Sequence, residues 1–117
     1  MKVLIVEDNI MTRMMVRALL EQLEYEVVGE AEDGPSALQA YTANRPDVVL
    51  LDLILPGKSG VEVLDDIRNI DPAAKIIVVT AVEQDEINRK LTDKGVSGIL
   101  RKPFSYDEFK QALKSME

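Results

Sequence analysis

Cysteine and histidine are both absent from this chain of 117 residues. Without cysteine, neither a disulfide framework nor a thiolate metal site is possible, so a reducing compartment, the cytoplasm, is the expected location. Without histidine, the chain has no imidazole for acid/base catalysis and no histidine of its own to phosphorylate. Thiol and imidazole chemistry are therefore excluded from any site in the chain.

Long apolar runs are missing as well. The run VLIV at residues 3–6 is far shorter than a signal-peptide core or a membrane span, and acidic residues follow it directly. Basic residues number 14 against 21 acidic ones, which gives a formal charge of -7. That charge argues against direct contact with nucleic acid or an anionic membrane surface. The length and a hydrophobic fraction of 46% fit one globular domain.

The chain does contain an alternation of short apolar runs with longer amphipathic segments. This pattern is typical of repeated β-α units, and it predicts an α/β fold in which helices cover both faces of a parallel sheet. Five such units are visible, each with a helix after its strand. The predicted strands lie near residues 2–6, 26–31, 47–51, 75–80 and 97–101.

Apolar stripes at helical spacing predict which faces of the first and last helices are buried. The first helix, about residues 9–23, should place Arg13, Arg17 and Glu21 toward solvent. The buried stripe of the first helix comprises Val16, Leu19, Leu20 and Leu23. The buried stripe of the last helix comprises Phe109, Ala112, Leu113 and Met116.

Capping residues indicate where several helices begin. Ser105 with Glu108, and Ser59 with Glu62, have the spacing of a capping box before the fifth and third helices. Pro35 suits the first position of the second helix, because that position needs no amide donor.

Four of the five predicted strands end in a polar residue that chemistry can use. The carboxyl ends of parallel strands lie along one edge of an open sheet, and ligands bind in the crevice outside that edge. Singly, each residue has a plain structural explanation as a helix cap, a strand end or a surface lysine. Together they predict one shared site, formed by Glu7, Asp8, Asp52, Thr80 and Lys102.

Three carboxylates in one crevice call for a positive charge. Two of them about 5 Å apart repel by roughly 3 kcal/mol at an effective dielectric near 20. Mg²⁺ prefers one or two carboxylates together with water and phosphate oxygens, so a magnesium site that accepts a phosphoryl group fits these residue types. Asp52 is the candidate nucleophile, Asp8 with Glu7 would hold the cation, and Lys102 and Thr80 would each contact a phosphoryl oxygen.

The same residues resemble the motifs of the response-regulator receiver domain, in its stand-alone chemotaxis or sporulation-relay form. The resemblance covers residues 2–116 and rests on four segments. They are the acidic pair Glu7-Asp8, Asp52 within DLILPGKSG, Thr80-Ala81, and Lys102-Pro103-Phe104. We therefore expect residues 1–117 to form one receiver domain.

The resemblance implies a flavodoxin-like, doubly wound sheet of five parallel strands in the order 2-1-3-4-5, with five helices. It implies phosphorylation of Asp52 by a sensor histidine kinase or phosphotransfer protein, and a switch that catalyses only its own phosphorylation and dephosphorylation. Mg²⁺ would be bound by Asp8, Asp52 and the backbone carbonyl of Ile54, beside Glu7. A downstream protein would read the face at about residues 83–115, and the chain would be a monomer or weak homodimer. The peptide bond between Lys102 and Pro103 is often cis in relatives.

The chain departs from the family pattern at a few positions. An aromatic residue commonly stands three positions before the lysine, and here that position holds Ile99. Lys58 adds a positive charge to the loop after Asp52, where acidic or polar residues are common. In this family the side chains two positions after the aspartate and the threonine can orient or block the water that hydrolyses the acyl phosphate. Here they are Ile54 and Val82, which should exclude that water, so we expect the phosphorylated state to persist longer than in rapid chemotaxis receivers.

Three other functions compete with a phosphoacceptor switch. A flavodoxin-like electron carrier would need a hydroxyl-rich and glycine-rich loop after the first strand, where Glu7, Asp8 and Asn9 would instead repel a flavin phosphate. An aspartate-nucleophile phosphatase would normally place a second aspartate at position 54, which is Ile54. A receiver-shaped interaction module that is never phosphorylated is the remaining alternative.

Overall fold

The computed structural model describes all of residues 1–117 and contains five strands that alternate with five helices. The strands are β1 Lys2–Val6, β2 Glu26–Ala31, β3 Val48–Leu51, β4 Ile76–Thr80 and β5 Gly98–Arg101. The helices are α1 Ile10–Gln22, α2 Gly34–Asn44, α3 Gly60–Ile70, α4 Asp85–Asp93 and α5 Tyr106–Lys114. The predicted element order is confirmed, although β3, β4 and β5 each begin one residue later than predicted.

All five strands are parallel and lie in the order β2-β1-β3-β4-β5. The doubly wound α/β fold and the strand order 2-1-3-4-5 are therefore confirmed. The chain leaves β1 toward β2 on one side and later returns to β3 on the other. Ligands of such sheets bind where the order reverses, so the ends of β1 and β3 flank the expected site.

The sheet divides the core into two apolar layers. Alternate residues of β1 show why, because Leu4 and Val6 point into one layer while Val3 and Ile5 point into the other. The first layer packs against α2, α3 and α4, and the second packs against α1 and α5. Every residue of β3 and β4 is buried, as expected for central strands covered on both faces.

The predicted apolar stripe of α1 does face the core, but the prediction that Arg13 points to solvent is wrong. Val16 and Leu20 are buried in the second layer, while Leu19 and Leu23 pack against its margin. The Arg13 side chain is only 17% exposed, because its guanidinium pairs with Glu30 on β2 instead of pointing into water.

The predicted caps have mixed outcomes. Ser105 and Glu108 form a reciprocal capping box, whereas the Ser59 hydroxyl accepts from the Glu62 amide without the return bond. Pro35 is the second residue of α2, not the first, because Asp33 is the N-cap and Gly34 begins the helix. None of the helices combines the length and the apolar content that crossing a membrane requires.

Candidate functional site

The three predicted acidic residues meet at the carboxyl edge of the sheet. Glu7 and Asp8 follow β1, Asp52 follows β3, and one carboxylate oxygen from each lies within 4.8 Å of the other two. The strand pairing brings them together, because Val6 lies beside Leu51 in the parallel ladder between β1 and β3. The structure therefore brings these distant residues together.

Burial distinguishes the members of this cluster. Glu7, Asp52 and Thr80 are the three polar or charged residues that are buried, at 4%, 8% and 0% exposure. Asp8 is exposed. A site that combines two buried carboxylates with one in contact with solvent gives a cation both a low-dielectric side and an entry side. Oxygen ligands of this kind fit a hard cation such as Mg²⁺.

Lys102 compensates the two buried carboxylates. Its Nζ lies 2.5 Å from Oε1 of Glu7 and 3.3 Å from Oδ2 of Asp52. Burial lowers the pKa of Lys102, but the hydrogen bond to Glu7 and the charge of Asp52 outweigh it, so the pKa is raised overall. Burial also raises the pKa of Glu7; the Lys102 hydrogen bond opposes that rise and Asp52 adds to it. The ammonium therefore stays charged at neutral pH.

Backbone contacts fix the positions of the carboxylates. The Asp52 amide donates to the Val6 carbonyl at 3.0 Å, and Oδ1 of Asp52 accepts from the Ile54 amide at 3.3 Å. Glu7 accepts from the Asn9 amide at 3.3 Å, and Asn9 caps α1 through Thr12. The Ile54 side chain is 64% exposed. The role of its carbonyl as a metal ligand stays a prediction.

Thr80 lies at the same sheet edge but does not contact the carboxylates. Its Oγ1 accepts from the Val82 amide at 3.0 Å, and its carbonyl accepts from the Lys102 amide at 2.9 Å. The hydroxyl is therefore engaged by the loop that leads to α4. A hydroxyl can accept and donate at the same time, so Thr80 keeps its proton for a second partner, but turning toward the carboxylates would pull Oγ1 away from the Val82 amide.

The loop around Lys102 and the loop after Asp52 each add one observation. The peptide bond between Lys102 and Pro103 is cis, as the resemblance suggested. The Lys58 ammonium pairs with Asp66 of α3 rather than with a site carboxylate. Asp66 lies within α3, eight residues beyond Lys58, and draws the side chain along that helix.

Two residues that support the site were missed in the sequence. Arg13 donates from Nη1 to the Glu7 carbonyl at 2.8 Å while its Nε lies 3.2 Å from Glu30. Gly60 begins α3, and a Cβ there would lie 2.2 Å from the Asp52 carbonyl oxygen and 2.5 Å from Cα of Leu53. Gly60 stands in the motif DLILPGKSG, so a signal for it was present, whereas nothing local marks Arg13.

The comparisons with known proteins agree with this geometry. The family model "Response regulator receiver domain" matches residues 3–114. The chain belongs to the response-regulator receiver domain family. It is 37% identical to Protein CcdB of Bacillus subtilis over 112 residues, which cover 96% of this chain and 93% of that protein.

Further similarities show the same relationship. The chemotaxis protein CheY of Listeria monocytogenes is 36% identical over 113 residues, covering 97% of this chain and 95% of that protein. A crystal structure of the CheX-CheY-BeF3-Mg+2 complex from Borrelia burgdorferi superposes with a TM-score of 0.93 at 25% identity, covering 97% of this chain and 87% of that one. This receiver domain is therefore a CheY-like component of two-component signalling. Receiver domains are signalling switches rather than classical enzymes, and they bind Mg²⁺ at an acidic pocket.

Proposed function

We propose that residues 1–117 form one receiver domain that accepts a phosphoryl group on Asp52 from a phosphohistidine of a sensor histidine kinase or phosphotransfer protein. The observation that carries the proposal is the setting of Asp52. Its carboxylate is buried beside Lys102, at 3.3 Å, and within 4.8 Å of oxygens from Glu7 and Asp8. Three carboxylates around one ammonium leave an excess of negative charge, which a bound cation would relieve.

In the proposed step an oxygen of Asp52 attacks phosphorus. The new O–P bond forms as the bond from phosphorus to the imidazole nitrogen breaks, and the electron pair passes to that nitrogen. Ile54 would keep the other Asp52 oxygen oriented, because its amide already donates to Oδ1. The domain would catalyse only this transfer and the later hydrolysis of its own acyl phosphate.

We assign the cation to Asp8, Asp52 and the Ile54 carbonyl, with Glu7 beside them. When Mg²⁺ is bound, it supplies positive charge to the carboxylates and to the phosphoryl oxygens. Lys102 would turn from Glu7 toward a phosphoryl oxygen, since an anion at Asp52 attracts the same ammonium. Thr80 would donate its hydroxyl proton to another phosphoryl oxygen after leaving the Val82 amide.

For output we propose the face at residues 83–115, which contains α4, β5 and α5. The CheX-CheY-BeF3-Mg+2 structure supports a protein partner for a receiver of this fold. We propose a monomer or weak homodimer that uses this face when Asp52 is phosphorylated.

Beryllofluoride, a stand-in for the phosphoryl group, tests the switch. We would record amide NMR spectra of the parent with Mg²⁺ alone and then with beryllofluoride added. We expect Mg²⁺ alone to bind weakly. When the analogue is added, the amide signals of Asp52, Thr80, Lys102 and their neighbours should shift, because the analogue supplies a ligand to the cation and an acceptor to Lys102.

Matched variants make the outcome specific. Asp52→Asn should lose the response and Asp8→Asn should weaken it, whereas Asp93→Asn, an exposed carboxylate at the end of α4, should respond as the parent does. A parent spectrum that stays unchanged with both reagents present would favour the interaction module that is never phosphorylated.

A further inference from the structure

Two hydrogen bonds from different strands hold the main chain of Val82. Its amide donates to Oγ1 of Thr80 at 3.0 Å, and its carbonyl accepts from Nη1 of Arg101. Val82 lies in the loop between β4 and α4, so both bonds restrain the segment that sets where α4 begins. One of them involves the hydroxyl that the proposed phosphoryl group would attract.

Arg101 lies on β5, next to that loop, and its side chain contacts the loop directly. It pairs with Thr80 in the ladder between β4 and β5, and it lies two residues after Ile99, on the same face of β5. Ile99 packs against the apolar layer that includes Leu91 of α4, which locates this face beneath α4. The Arg101 guanidinium makes no ion pair, and the Val82 carbonyl is its hydrogen-bond acceptor.

The start of α4 has few other restraints. Gln84 is its N-cap and makes no capping hydrogen bond through its side chain, unlike the caps of the other four helices. Asn88, which closes the first turn of α4, has a buried Oδ1 without a hydrogen-bond donor. A buried amide oxygen left unpaired is costly, so α4 is incompletely satisfied in this arrangement. The two hydrogen bonds to the Val82 main chain therefore do much to fix the conformation of the loop between β4 and α4.

We propose that Arg101 is a positioning residue that latches the loop between β4 and α4 and releases it when the Thr80 hydroxyl turns away. The release step rests on the proposed phosphorylation of Asp52; the latch itself does not. Once the bond to Thr80 is lost, the single bond from Arg101 does not hold the loop, so the loop and α4 shift, the bond to the Val82 carbonyl breaks and the guanidinium becomes available on the output face. Ile99 has no polar group that could do this.

A double-mutant cycle on the resting protein tests the latch without any phosphoryl chemistry. We would measure amide hydrogen exchange at residues 82–88 in the parent, Arg101→Ala, Thr80→Val and the double variant, with urea unfolding to confirm that each is folded. Each single variant should exchange about tenfold faster in this segment, since each loses one hydrogen bond. Arg101→Lys keeps a charged donor and should restore slower exchange. Arg89→Ala, which removes an exposed arginine of α4, is the control and should match the parent.

The double variant decides the outcome. Exchange within about threefold of either single variant means that both residues act through one cooperative loop, as proposed. Exchange that equals the product of the two single effects, or parent-like exchange in Arg101→Ala, would overturn the latch. A second experiment adds beryllofluoride and Mg²⁺ to the parent and records its amide NMR spectrum. The signals of the loop between β4 and α4 should then move toward their positions in the spectrum of Arg101→Ala without these reagents. A coupled cycle with no response of the parent to beryllofluoride would overturn both the release step and the phosphorylation proposal while leaving the latch in place.

Discussion

At the scale of single residues, Lys102 lies closer to Glu7 than to Asp52, at 2.5 Å against 3.3 Å. Glu7 therefore takes up much of the ammonium's hydrogen-bonding capacity in the resting protein. Asp52 accepts only long bonds, from Lys102 and from the Ile54 amide, both at 3.3 Å. A carboxylate held in place by long hydrogen bonds keeps electron pairs for a nucleophilic attack.

Replacing Asp52 by Asn should stabilise the metal-free protein by about 1 kcal/mol. The change removes repulsion of roughly 3 kcal/mol from each neighbouring carboxylate at an effective dielectric near 20, but it also removes the attraction to Lys102. Lys102 keeps its partner Glu7 in the variant. Urea unfolding without Mg²⁺ measures the difference, and Asp93→Asn is the surface control. A destabilised Asp52→Asn protein would show that the attraction to Lys102 exceeds the repulsion.

The lifetime of the phosphorylated state should depend on Ile54 and Val82. Both line a cavity of about 650 Å³ between α3 and α4, and neither offers a hydrogen bond to an attacking water. Ile54→Asn combined with Val82→Glu should speed loss of phosphate about tenfold, or about 1.4 kcal/mol of barrier, by orienting that water. The measurement is decay of the phosphorylated protein with the donor removed and Mg²⁺ saturating.

Ile70→Asn is the matched control for this pair, because it replaces a partly exposed isoleucine at the far end of α3. It should leave the decay rate unchanged. Equal decay in the double variant and the parent would show that other groups set the lifetime.

At the scale of elements, the Tyr41 hydroxyl of α2 donates to Asp71 after α3 at 2.8 Å. Burial and this bond to a carboxylate raise the pKa of Tyr41 to about 12. The unfolded chain releases the same proton near pH 10, so the stabilisation is complete below about pH 10 and is lost as the pH rises toward 12. The full loss, for a pKa of about 12 against one near 10, is roughly 3 kcal/mol.

Tyr41→Phe should lower the free energy of unfolding by about 1 kcal/mol at pH 7, because Asp71 loses its donor. Its stability should also fall less steeply than that of the parent between pH 10 and pH 12. Urea unfolding across this range measures both effects, with Tyr106→Phe as the control because Tyr106 is exposed. Identical pH profiles for the parent and Tyr41→Phe would contradict the assignment.

Arg68 joins three segments at the opposite end of the molecule from the acidic cluster. Its guanidinium donates to the carbonyls of Ala74, Lys94 and Gly95 at 3.0, 2.9 and 3.0 Å. Arg68→Ala should cost about 2–3 kcal/mol of unfolding free energy, because three hydrogen bonds from a charged donor are lost. Urea unfolding measures this cost, and Arg89→Ala should differ from the parent by less than about 0.5 kcal/mol. If Arg68→Ala lowered the free energy of unfolding no more than Arg89→Ala does, the three hydrogen bonds of Arg68, which we call the Arg68 clamp, would not stabilise the fold.

Elements with a local signal could be predicted from the sequence, and contacts between distant segments could not. The apolar runs of β1 and β2 predicted both strands with correct bounds, and Ser105 with Glu108 predicted the start of α5. The Arg68 clamp was not predictable, because its acceptors come from two loops that only the tertiary fold brings together.

At the scale of the whole molecule, the parallel sheet explains why the site could be predicted from its strand ends. Residues that end β1, β3, β4 and β5 must lie along one edge, whatever their separation in the chain. The clustering of Glu7, Asp8, Asp52 and Lys102 followed from this rule. The hydrogen-bond and ion-pair partners of these residues did not follow from it. A rule about strand ends determines neither the side-chain rotamers nor which carboxylate the Lys102 ammonium contacts.

Arg13 illustrates the same limit. Its position on α1 predicted a solvated side chain, yet it reaches across to Glu30 of β2 and to the carbonyl of Glu7. The helical period identifies the face that packs on the sheet but not side chains at its margin, where a long arginine can reach a neighbouring strand.

Mass spectrometry after incubation with acetyl phosphate and Mg²⁺ tests most directly whether Asp52 is the phosphoacceptor. We expect one added phosphoryl group, mapped to Asp52 by peptide fragmentation, and no addition to Asp52→Asn or in the presence of a chelator. Asp93→Asn should be modified to the same extent as the parent. An unmodified parent, or equal modification of Asp52→Asn, would contradict the role proposed for Asp52.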